Sequence, residues 1–361
     1  MAKRYRRVRR RKSSDTSWKS LKRRFQVKKR LHRFGLALLV VFSVLLTLGV
    51  IYAWHYFTRP FARAGGTFET DISWDGATPL NLLWLEVGEV GNETAPLVNL
   101  SVISLNPTLK RFTVINLPLK HKVYLPSQGK QPLRAIYGVG NLLDPKRGIE
   151  LTAKNVSYLL GIPIDGYLLV GSGGLQQLSQ LFGDTQTLKD YLSIKNITLL
   201  PQIVALGHEY LRTNLSLGEL GRIIHFVWGV RAGKIETIVL EPSDLDDQTT
   251  LDRHLRLFLE DKTLAGGRLK IQILNGTLKD GLAAFAARLV RNMGGEVIRT
   301  ANYERQDLTK GFLVLNESGS YTARRLAHIF GVVDSRPPRS SAEKRADITV
   351  ILGLENYKRI F

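Results

Sequence analysis

The feature that most constrains this chain is an uncharged run of 21 residues, from Phe34 to Trp54, which reads FGLALLVVFSVLLTLGVIYAW. An α-helix rises about 1.5 Å per residue, so the run would extend ~31 Å, which matches the hydrocarbon thickness of a bilayer. Trp54, Tyr56 and Phe57 at its far end are typical of the aromatic belt at a membrane interface. We therefore predict one transmembrane helix over residues 34–57.

The distribution of charge predicts the orientation of that helix. The formal net charge is +21, and 16 of the 52 Lys and Arg residues lie in residues 1–33, where Asp15 is the only acid, so this tail carries +15. Basic flanks stay on the cytoplasmic side, which places the rest of the chain outside. Each Lys or Arg near an anionic bilayer gains about 1 kcal/mol from the lipid headgroups. The alternative is nucleic-acid binding by the tail, with Tyr5, Trp18 and Phe25 as stacking groups, but the membrane explains the same charge without a further partner.

A cleaved signal peptide is the alternative to a retained membrane anchor. The small-x-small sequence Ala62-Arg63-Ala64 would permit cleavage after Ala64. The apolar core of a signal peptide usually has about 7–15 residues, and the run in this chain is longer. The sequence therefore favours a retained anchor and a single-pass protein.

Beyond the predicted helix, the hydrophobic pattern is that of an α/β protein. Punctuated apolar runs predict strands, and runs with one apolar face predict helices. Because both kinds of element alternate along residues 68–240, we expect an α/β/α sandwich there. The predicted strands are 80–87, 97–105, 112–117, 166–170, 197–200 and 235–240, and the predicted helices are 148–160, 174–181 and 216–230.

The composition changes again in the last third of the chain. Residues 241–267 are polar and acidic and contain a Gly-Gly pair, so we predict a linker. Residues 268–356 follow a β-α-β-β-α-β pattern, which predicts a small separate domain. Its strands are expected at 269–274, 296–301, 311–315 and 348–352, and its helices at 281–293 and 321–330.

Several kinds of catalytic and metal site are excluded by residue type and spacing. The chain has no cysteine, which removes disulfides, thiolate zinc sites and cysteine nucleophiles. Its seven histidines show no H-x-x-x-H spacing, and no serine lies in a G-x-S-x-G sequence. The sequence therefore predicts no metal site, no cofactor and no catalytic triad.

The C-terminal unit carries the most specific local sequence. It contains LKIQILNGTLKDGLAAFAARLV, with Asn275, Gly276, Thr277 and Gly281, and it ends with ADITVILG, which includes Asp347. The Asn-Gly-Thr sequence is typical of a strand-to-helix turn, in which Asn and Gly tolerate positive φ and Thr caps. We therefore interpret these residues as structural. The whole unit resembles the C-terminal domain of the LytR family of cell-envelope proteins.

The middle of the chain is similar to the catalytic domain of the LytR-CpsA-Psr family over residues 78–240. The sequences VNLSVISLNPTLKRFTVINLPLK and GIPIDGYLLVG carry the resemblance. It implies a sandwich behind a membrane anchor. It also implies transfer of a glycopolymer from a polyprenyl-pyrophosphate carrier to the cell wall, with arginines, acids and a divalent metal holding the pyrophosphate.

Departures from the family pattern affect the chemistry that the resemblance implies. The Asp of the first strand is replaced by Val98, and the Arg-Asp pair after the second strand is replaced by Leu119 and Lys120. The acidic and Arg-rich segment has no counterpart in residues 183–194. These losses predict a domain that keeps the scaffold without the reaction, so Mg²⁺ would be expected only if transfer persists.

Three basic residues are the candidates for ligand binding. Lys120 and Lys122 lie where the arginine loop would be, and Arg134 lies at a basic position of the next motif. We predict a non-catalytic, membrane-anchored envelope protein that binds glycan, a lipid-linked precursor or an assembly partner. Two alternatives remain open: an active transferase that uses these three residues, and a membrane-tethered nucleic-acid binder acting through its tail.

Overall fold

The structure is a computed structural model of the 361-residue chain and describes residues 46–47, 49–51, 58–62, 74–125, 128–144, 146–174, 176–177, 200–317, 319–339 and 343–360. The chain divides into two compact units, Met1–Phe57 and Thr58–Phe361. In the first unit, residues 46–47 and 49–51 are helical. The predicted tail and most of the predicted transmembrane helix lie outside the described residues. Among the helices that are described, none has both the length and the apolarity that crossing a bilayer requires.

The second unit is a mixed α/β structure, as expected. Its strands are β1 (Pro60–Ala62), β2 (Leu80–Val87), β3 (Leu97–Asn106), β4 (Arg111–Asn116), β5 (Lys122–Leu125), β6 (Gly129–Pro132), β7 (Gly166–Gly171), β8 (Leu211–Ser216), β9 (Ile235–Val239), β10 (Lys270–Asn275), β11 (Glu296–Asn302), β12 (Phe312–Leu315), β13 (Asp334–Arg336) and β14 (Ile348–Leu352). Its α-helices are α1 (Leu133–Leu143), α2 (Gly148–Leu160), α3 (Leu200–Tyr210), α4 (Leu217–Gly229), α5 (Gln248–Leu259), α6 (Lys262–Gly266), α7 (Leu282–Asn292), α8 (Tyr321–Phe330) and α9 (Leu354–Ile360).

The larger sheet fixes where functional residues can converge. In the described part of the chain its strand order is β1-β8-β7-β2-β3-β4-β9. β2 is parallel to β7 and β4 is parallel to β9, while β3 lies between β2 and β4 and is antiparallel to both. The strands β2, β4, β7 and β9 therefore end at one edge, which we call the carboxyl edge. Ligands of open α/β sheets usually bind at such an edge.

Helices cover both faces of this sheet. On one face, buried side chains of α1, α2 and α5 pack against β2, β3 and β7. On the other face, Val227 in the last turn of α4 packs with Leu215 of β8 against Leu82 and Leu105 of the sheet. Helix α4 begins with a capping box in which the Ser216 hydroxyl and the Glu219 carboxylate satisfy each other's backbone N–H groups.

Residues 241–267, which we expected to be a linker, are instead part of the packed structure. They form a short 3₁₀ helix at Pro242–Leu245, then α5 and α6. Leu251, Leu255 and Leu259 of α5 are buried in the core of the sandwich. Their spacing of four residues places them on one face of a helix, and this apolar stripe outweighs the acidic composition of the segment.

The C-terminal domain is a smaller sheet with helices packed on it. Its strand order is β11-β10-β14-β12-β13 in the described residues, and β12 pairs antiparallel with β14. Helices α7 and α8 bury Leu289, Val290, Leu326 and Phe330 against the sheet. Helix α9 and the short strand β13 are additions to the predicted β-α-β-β-α-β pattern.

The two domains of this unit are joined by hydrogen bonds as well as apolar contacts. Arg288 of α7 donates to both carboxylate oxygens of Asp252 on α5, at 2.7–3.1 Å. It also donates to the carbonyl oxygens of Tyr158 and Leu159, in the last turn of α2. Carbonyl groups in the last turn of a helix lack partners within the helix, so the guanidinium caps α2 and joins the domains.

Candidate functional site

The three predicted ligand-binding residues lie at the base of one hairpin near the carboxyl edge. After β4 the chain turns at Leu119 and Lys120 and forms the hairpin β5–β6, which leads directly into α1. The backbone N–H of Arg134 donates to the carbonyl of Leu119 at 3.0 Å, and Lys122 is paired with Pro132. The structure therefore brings Lys120, Lys122 and Arg134 together, although they span 15 positions of the sequence.

The two faces of the hairpin have opposite character. Val123 and Leu125 point inward and are buried in the core. Lys122, Tyr124 and Lys130 point outward, and Tyr124 is 71% exposed and paired with Lys130 across the ladder. This alternation is what a half-buried strand requires, and it fixes which side chains face solvent.

We call the outward face the basic hairpin surface, which consists of Lys120, Lys122, Lys130, Arg134 and Tyr124. Its four cations are exposed, and none of them forms an ion pair with a carboxylate of the described residues. The backbone beneath them is held by the β5–β6 ladder and by the two hydrogen bonds to α1. The surface thus presents uncompensated positive charge on an ordered backbone, which is the arrangement that attracts phosphate groups.

A row of polar side chains continues the site along the carboxyl edge. The Ser101 hydroxyl lies 2.7 Å from Asn116 Oδ1 and 3.3 Å from Asn99 Oδ1. On β2, Glu86 is paired with Asn99. Sequence reasoning missed this row, although small polar residues at alternate positions of an apolar strand were a usable signal.

Val98, which replaces the Asp of the family pattern, lies at the surface of the sheet. It lies at the start of β3 and is 55% exposed. The N–H of Leu117 donates to the carbonyl of Leu100 at 2.9 Å, so the β3–β4 ladder continues toward Val98 and the base of the hairpin. An apolar side chain therefore occupies the position where the resemblance places a carboxylate.

The side chains of this edge do not fit the divalent metal that the resemblance implies. No group of three or more His, Cys, Asp or Glu side chains suited to a metal occurs among the described residues. Within the strands at this edge, Glu86 supplies a carboxylate, and the amides and the hydroxyl of the polar row are already bonded to one another. Glu89 and Glu241 follow the ends of β2 and β9, but within the described part of the chain they do not complete a group of three suited to a metal. Mg²⁺ prefers several free oxygen ligands in octahedral geometry, and the nearby cations would oppose it.

The C-terminal motif residues lie in the domain's own hydrogen-bond network. Asn275 is buried at the end of β10, and its Oδ1 accepts from the backbone N–H and the hydroxyl of Thr277, at 3.0 and 2.8 Å. Its Nδ2 donates to the carbonyl of Lys279. Asp347 accepts from the N–H of Lys270 at 2.7 Å and so joins β14 to β10.

The backbone of this motif differs from the expected turn. Neither Asn275 nor Gly276 has a positive φ; the positive value, +78°, occurs at Gly281, which caps the start of α7. Gly276 is needed for close packing instead, because a Cβ there would lie 2.6 Å from Leu308 Cδ1 and 2.9 Å from the carbonyl oxygen of Leu352. The N-cap that we expected at Thr277 is therefore provided by Gly281.

Comparisons with known proteins agree with the resemblance in the sequence. Residues 268–355 match the family model described as LytR cell envelope-related transcriptional attenuator. Over 167 residues the chain is 24% identical to the polyisoprenyl-teichoic acid–peptidoglycan teichoic acid transferase TagU of Bacillus cereus, a match that covers 42% of this chain and 52% of the relative. The chain thus spans about half the length of that relative.

Solved structures of low identity were also matched. B. subtilis TagV gives a TM-score of 0.38 at 17% identity, over 49% of this chain and 97% of that chain. The transcriptional regulator yvhJ from Bacillus subtilis gives a TM-score of 0.35 at 21% identity, over 45% and 83% of the two chains. The match over residues 268–355 identifies a LytR-type C-terminal domain, and the chain as a whole is similar to the LytR-CpsA-Psr family.

Proposed function

We propose that this protein is a membrane-anchored, extracytoplasmic binding protein that holds a phosphate-bearing, lipid-linked glycan precursor without transferring it. The observation that carries the proposal is the basic hairpin surface, in which four exposed cations share one ordered hairpin and have no acidic partner among the described residues. A pyrophosphate group would supply the negative charge that this surface lacks.

The cations differ in what they would contribute. The ammonium groups of Lys120, Lys122 and Lys130 act as compact, mobile point charges. The planar guanidinium of Arg134 can donate two parallel hydrogen bonds to phosphate oxygens, and its backbone is tied to Leu119. The exposed ring of Tyr124 offers an apolar surface beside the charges, suited to an isoprenoid chain or a sugar ring.

The proposal of binding without transfer is supported by what surrounds the hairpin. Val98 stands in place of the family carboxylate, and the donor set at the carboxyl edge does not fit a divalent metal. Stabilisation of a departing pyrophosphate needs preorganised charge at the reacting atoms, to which metal ions and carboxylates usually contribute. The name of the relative TagU refers to a polyisoprenyl-linked teichoic acid, which supports a ligand of that chemistry.

The test compares two triple variants of the full-length protein. Lys120→Ala, Lys122→Ala and Arg134→Ala together remove the base of the hairpin surface. Arg299→Ala, Lys310→Ala and Lys344→Ala together remove the same charge from exposed positions of the C-terminal domain. Farnesyl pyrophosphate is the probe, and farnesol is its uncharged control. We expect the hairpin triple variant to bind the probe at least about tenfold more weakly, with a smaller salt dependence, and the other triple variant to bind nearly as wild type.

A second measurement separates binding from catalysis. The wild-type protein is incubated with a polyprenyl-pyrophosphate-linked saccharide and Mg²⁺, and release of the prenyl carrier is followed. No release is expected. Release that is abolished by Lys122→Ala would replace our proposal with the transferase hypothesis, and equal probe affinities of the two triple variants would show that the hairpin is not the site.

A further inference from the structure

Two cavities of the described residues lie where the sandwich meets the C-terminal domain. The larger, of 360 Å³, is lined by α2 on one side and by α8 and α9 on the other. The smaller, of 240 Å³, lies between residues 74–80 and the first turns of α8. Asp165 and His328 line both cavities, so we call the two together the junction groove. Small-ligand sites are often found at domain interfaces and typically occupy about 300–1,000 Å³.

The floor of the groove is a buried polar pair contributed by both domains. Asp165 is 9% exposed, and its Oδ2 accepts from the N–H of Asn81 at 2.8 Å. Arg325 of α8 is 7% exposed; its guanidinium lies 3.6 Å from Asp165 Oδ1 and donates to the carbonyl of Pro79 at 3.0 Å. Its Nε–H has no hydrogen-bond partner in the described structure. Buried donors without a partner are uncommon in folded proteins.

The formal charges of the groove nearly cancel, with five cations against four acids. Asp165 is compensated by Arg325, and Glu150 forms an ion pair with Lys154 at 2.9 Å. The remaining formal charges of the lining are Asp75 and Glu355 against Arg324, Lys358 and Arg359. Burial lowers the pKa of His328, so its ring is neutral at pH 7 and offers one donor and one acceptor. The groove therefore presents many hydrogen-bonding groups and almost no net charge, in contrast to the basic hairpin surface.

We infer that the junction groove binds an uncharged saccharide segment. Sugar hydroxyls donate and accept hydrogen bonds at once, which matches a lining of paired acids and bases, hydroxyls and a neutral imidazole. A polyanion would find an excess of only one cation in this lining. The half-buried ring of Tyr321, fixed by its hydroxyl bond to Asp261 at 2.6 Å, provides an apolar wall. This inference does not depend on the proposed function of the hairpin.

Binding in the groove would also stabilise the contact between the domains. One wall comes from the sandwich and the other from the C-terminal domain, so a saccharide would contact both. The domains are held in this arrangement by Arg288 and by Asn292, whose Nδ2 donates to the carbonyl of Gly161 at 3.0 Å. A ligand that binds only the docked arrangement adds its binding free energy to that contact.

The experiment is calorimetric titration of the full-length protein with the neutral trisaccharides triacetylchitotriose, cellotriose and maltotriose. Trialanine and inorganic pyrophosphate are the comparison probes for zwitterions and anions. We expect at least one trisaccharide to bind, Arg325→Lys to weaken it at least about tenfold, and Arg324→Ala to weaken it about threefold. Arg299→Ala is the matched control, since Arg299 is an exposed Arg of the same domain outside both cavities.

The saccharide-binding inference can be tested even if the Arg325 variant fails to fold. Arg325 is buried and its replacement can unfold the domain, but Arg324 is exposed at the rim and its removal leaves the core intact. The inference is overturned if no trisaccharide binds at concentrations up to about 10 mM. It is also overturned if Arg324→Ala and Arg299→Ala bind the trisaccharide equally well. A dependence on Arg324 of the affinity for trialanine or pyrophosphate, in place of the trisaccharide, would overturn it as well. The hairpin triple variant should retain wild-type saccharide affinity, so failure here is distinguishable from failure of the proposed function.

Discussion

Replacement of Arg288 by Met should destabilise the protein, because this single side chain joins the two domains. Met keeps an unbranched apolar stem and removes the guanidinium. The change leaves the Asp252 carboxylate without its bidentate partner and uncaps the last turn of α2, where the carbonyls of Tyr158 and Leu159 accept from Arg288 at 2.6 and 2.9 Å.

The expected loss of stability depends on how far the ion pair between Arg288 and Asp252 is buried. An exposed ion pair contributes about 0–1 kcal/mol, and removing one member of a fully buried pair costs about 3–5 kcal/mol. The side chains of Arg288 and Asp252 are 14% and 22% exposed, so the pair is nearer to the buried limit. Water can still reach the carbonyls in part, and we therefore expect a loss of about 2–3 kcal/mol in the free energy of unfolding.

Urea unfolding of the full-length protein, followed by circular dichroism, measures this loss as a shift in midpoint at an unchanged slope. Arg305→Met is the matched control, because Arg305 makes the same kind of bidentate contact with Asp307, but the two side chains are 64% and 72% exposed. We expect no measurable change in the control. Asp252→Asn and the double variant complete a thermodynamic cycle with an expected coupling of about 1–2 kcal/mol. Equal midpoint shifts for Arg288→Met and Arg305→Met would refute the argument that burial and helix capping set the effect.

Two further predictions concern the same junction. Gly161→Ala should lower the free energy of unfolding by about 1–2 kcal/mol, because Gly161 has a φ of +62° and a Cβ would lie 2.5 Å from Asn292 Nδ2. Gly129→Ala is the control: Gly129 has a φ of +69° with open space around it, so the same urea assay should show a smaller loss. His328 faces Asp165, Arg325 and Arg359, and its pKa in the folded state is held below the ordinary 6.5, chiefly by burial. The unfolded chain therefore takes up this proton at higher pH than the folded chain, so stability should fall as the pH drops below the ordinary value of 6.5, and His328→Gln should lessen that fall.

Much of the fold was predictable because local signals agreed with one another. The strand at 80–87 and the helices at 148–160 and 321–330 are found as predicted, since apolar periodicity and a terminal glycine mark them. The hairpin β5–β6 was missed because each strand has only four residues, too few to establish alternation. The linker prediction was wrong because composition was given more weight than the leucine spacing of α5.

The sites were predictable only where residues are close in sequence. Lys120, Lys122 and Arg134 were identified because the resemblance placed them at the arginine loop and the next basic motif, within 15 positions of the sequence. The groove floor was not, because Arg325 donates to a carbonyl 246 positions earlier and neither residue has a local motif that reports the contact. Asp165 was visible only as part of a sequence resemblance, with no indication that a second domain would cover it.

The topology of the sheet keeps the two proposed sites apart, and this separation can be tested. Asp165 immediately precedes β7, at the edge opposite the carboxyl edge where the basic hairpin lies. The six residues of β7 at about 3.3 Å each place the edges roughly 20 Å apart, which is beyond the ~8 Å Debye length at physiological salt. Charge removed from the hairpin should therefore not alter saccharide affinity in the groove, and Arg324→Ala should not alter farnesyl pyrophosphate affinity. If each change affected both ligands, the two sites would be coupled through the sandwich itself, and the view of two independent sites on one scaffold would have to be given up.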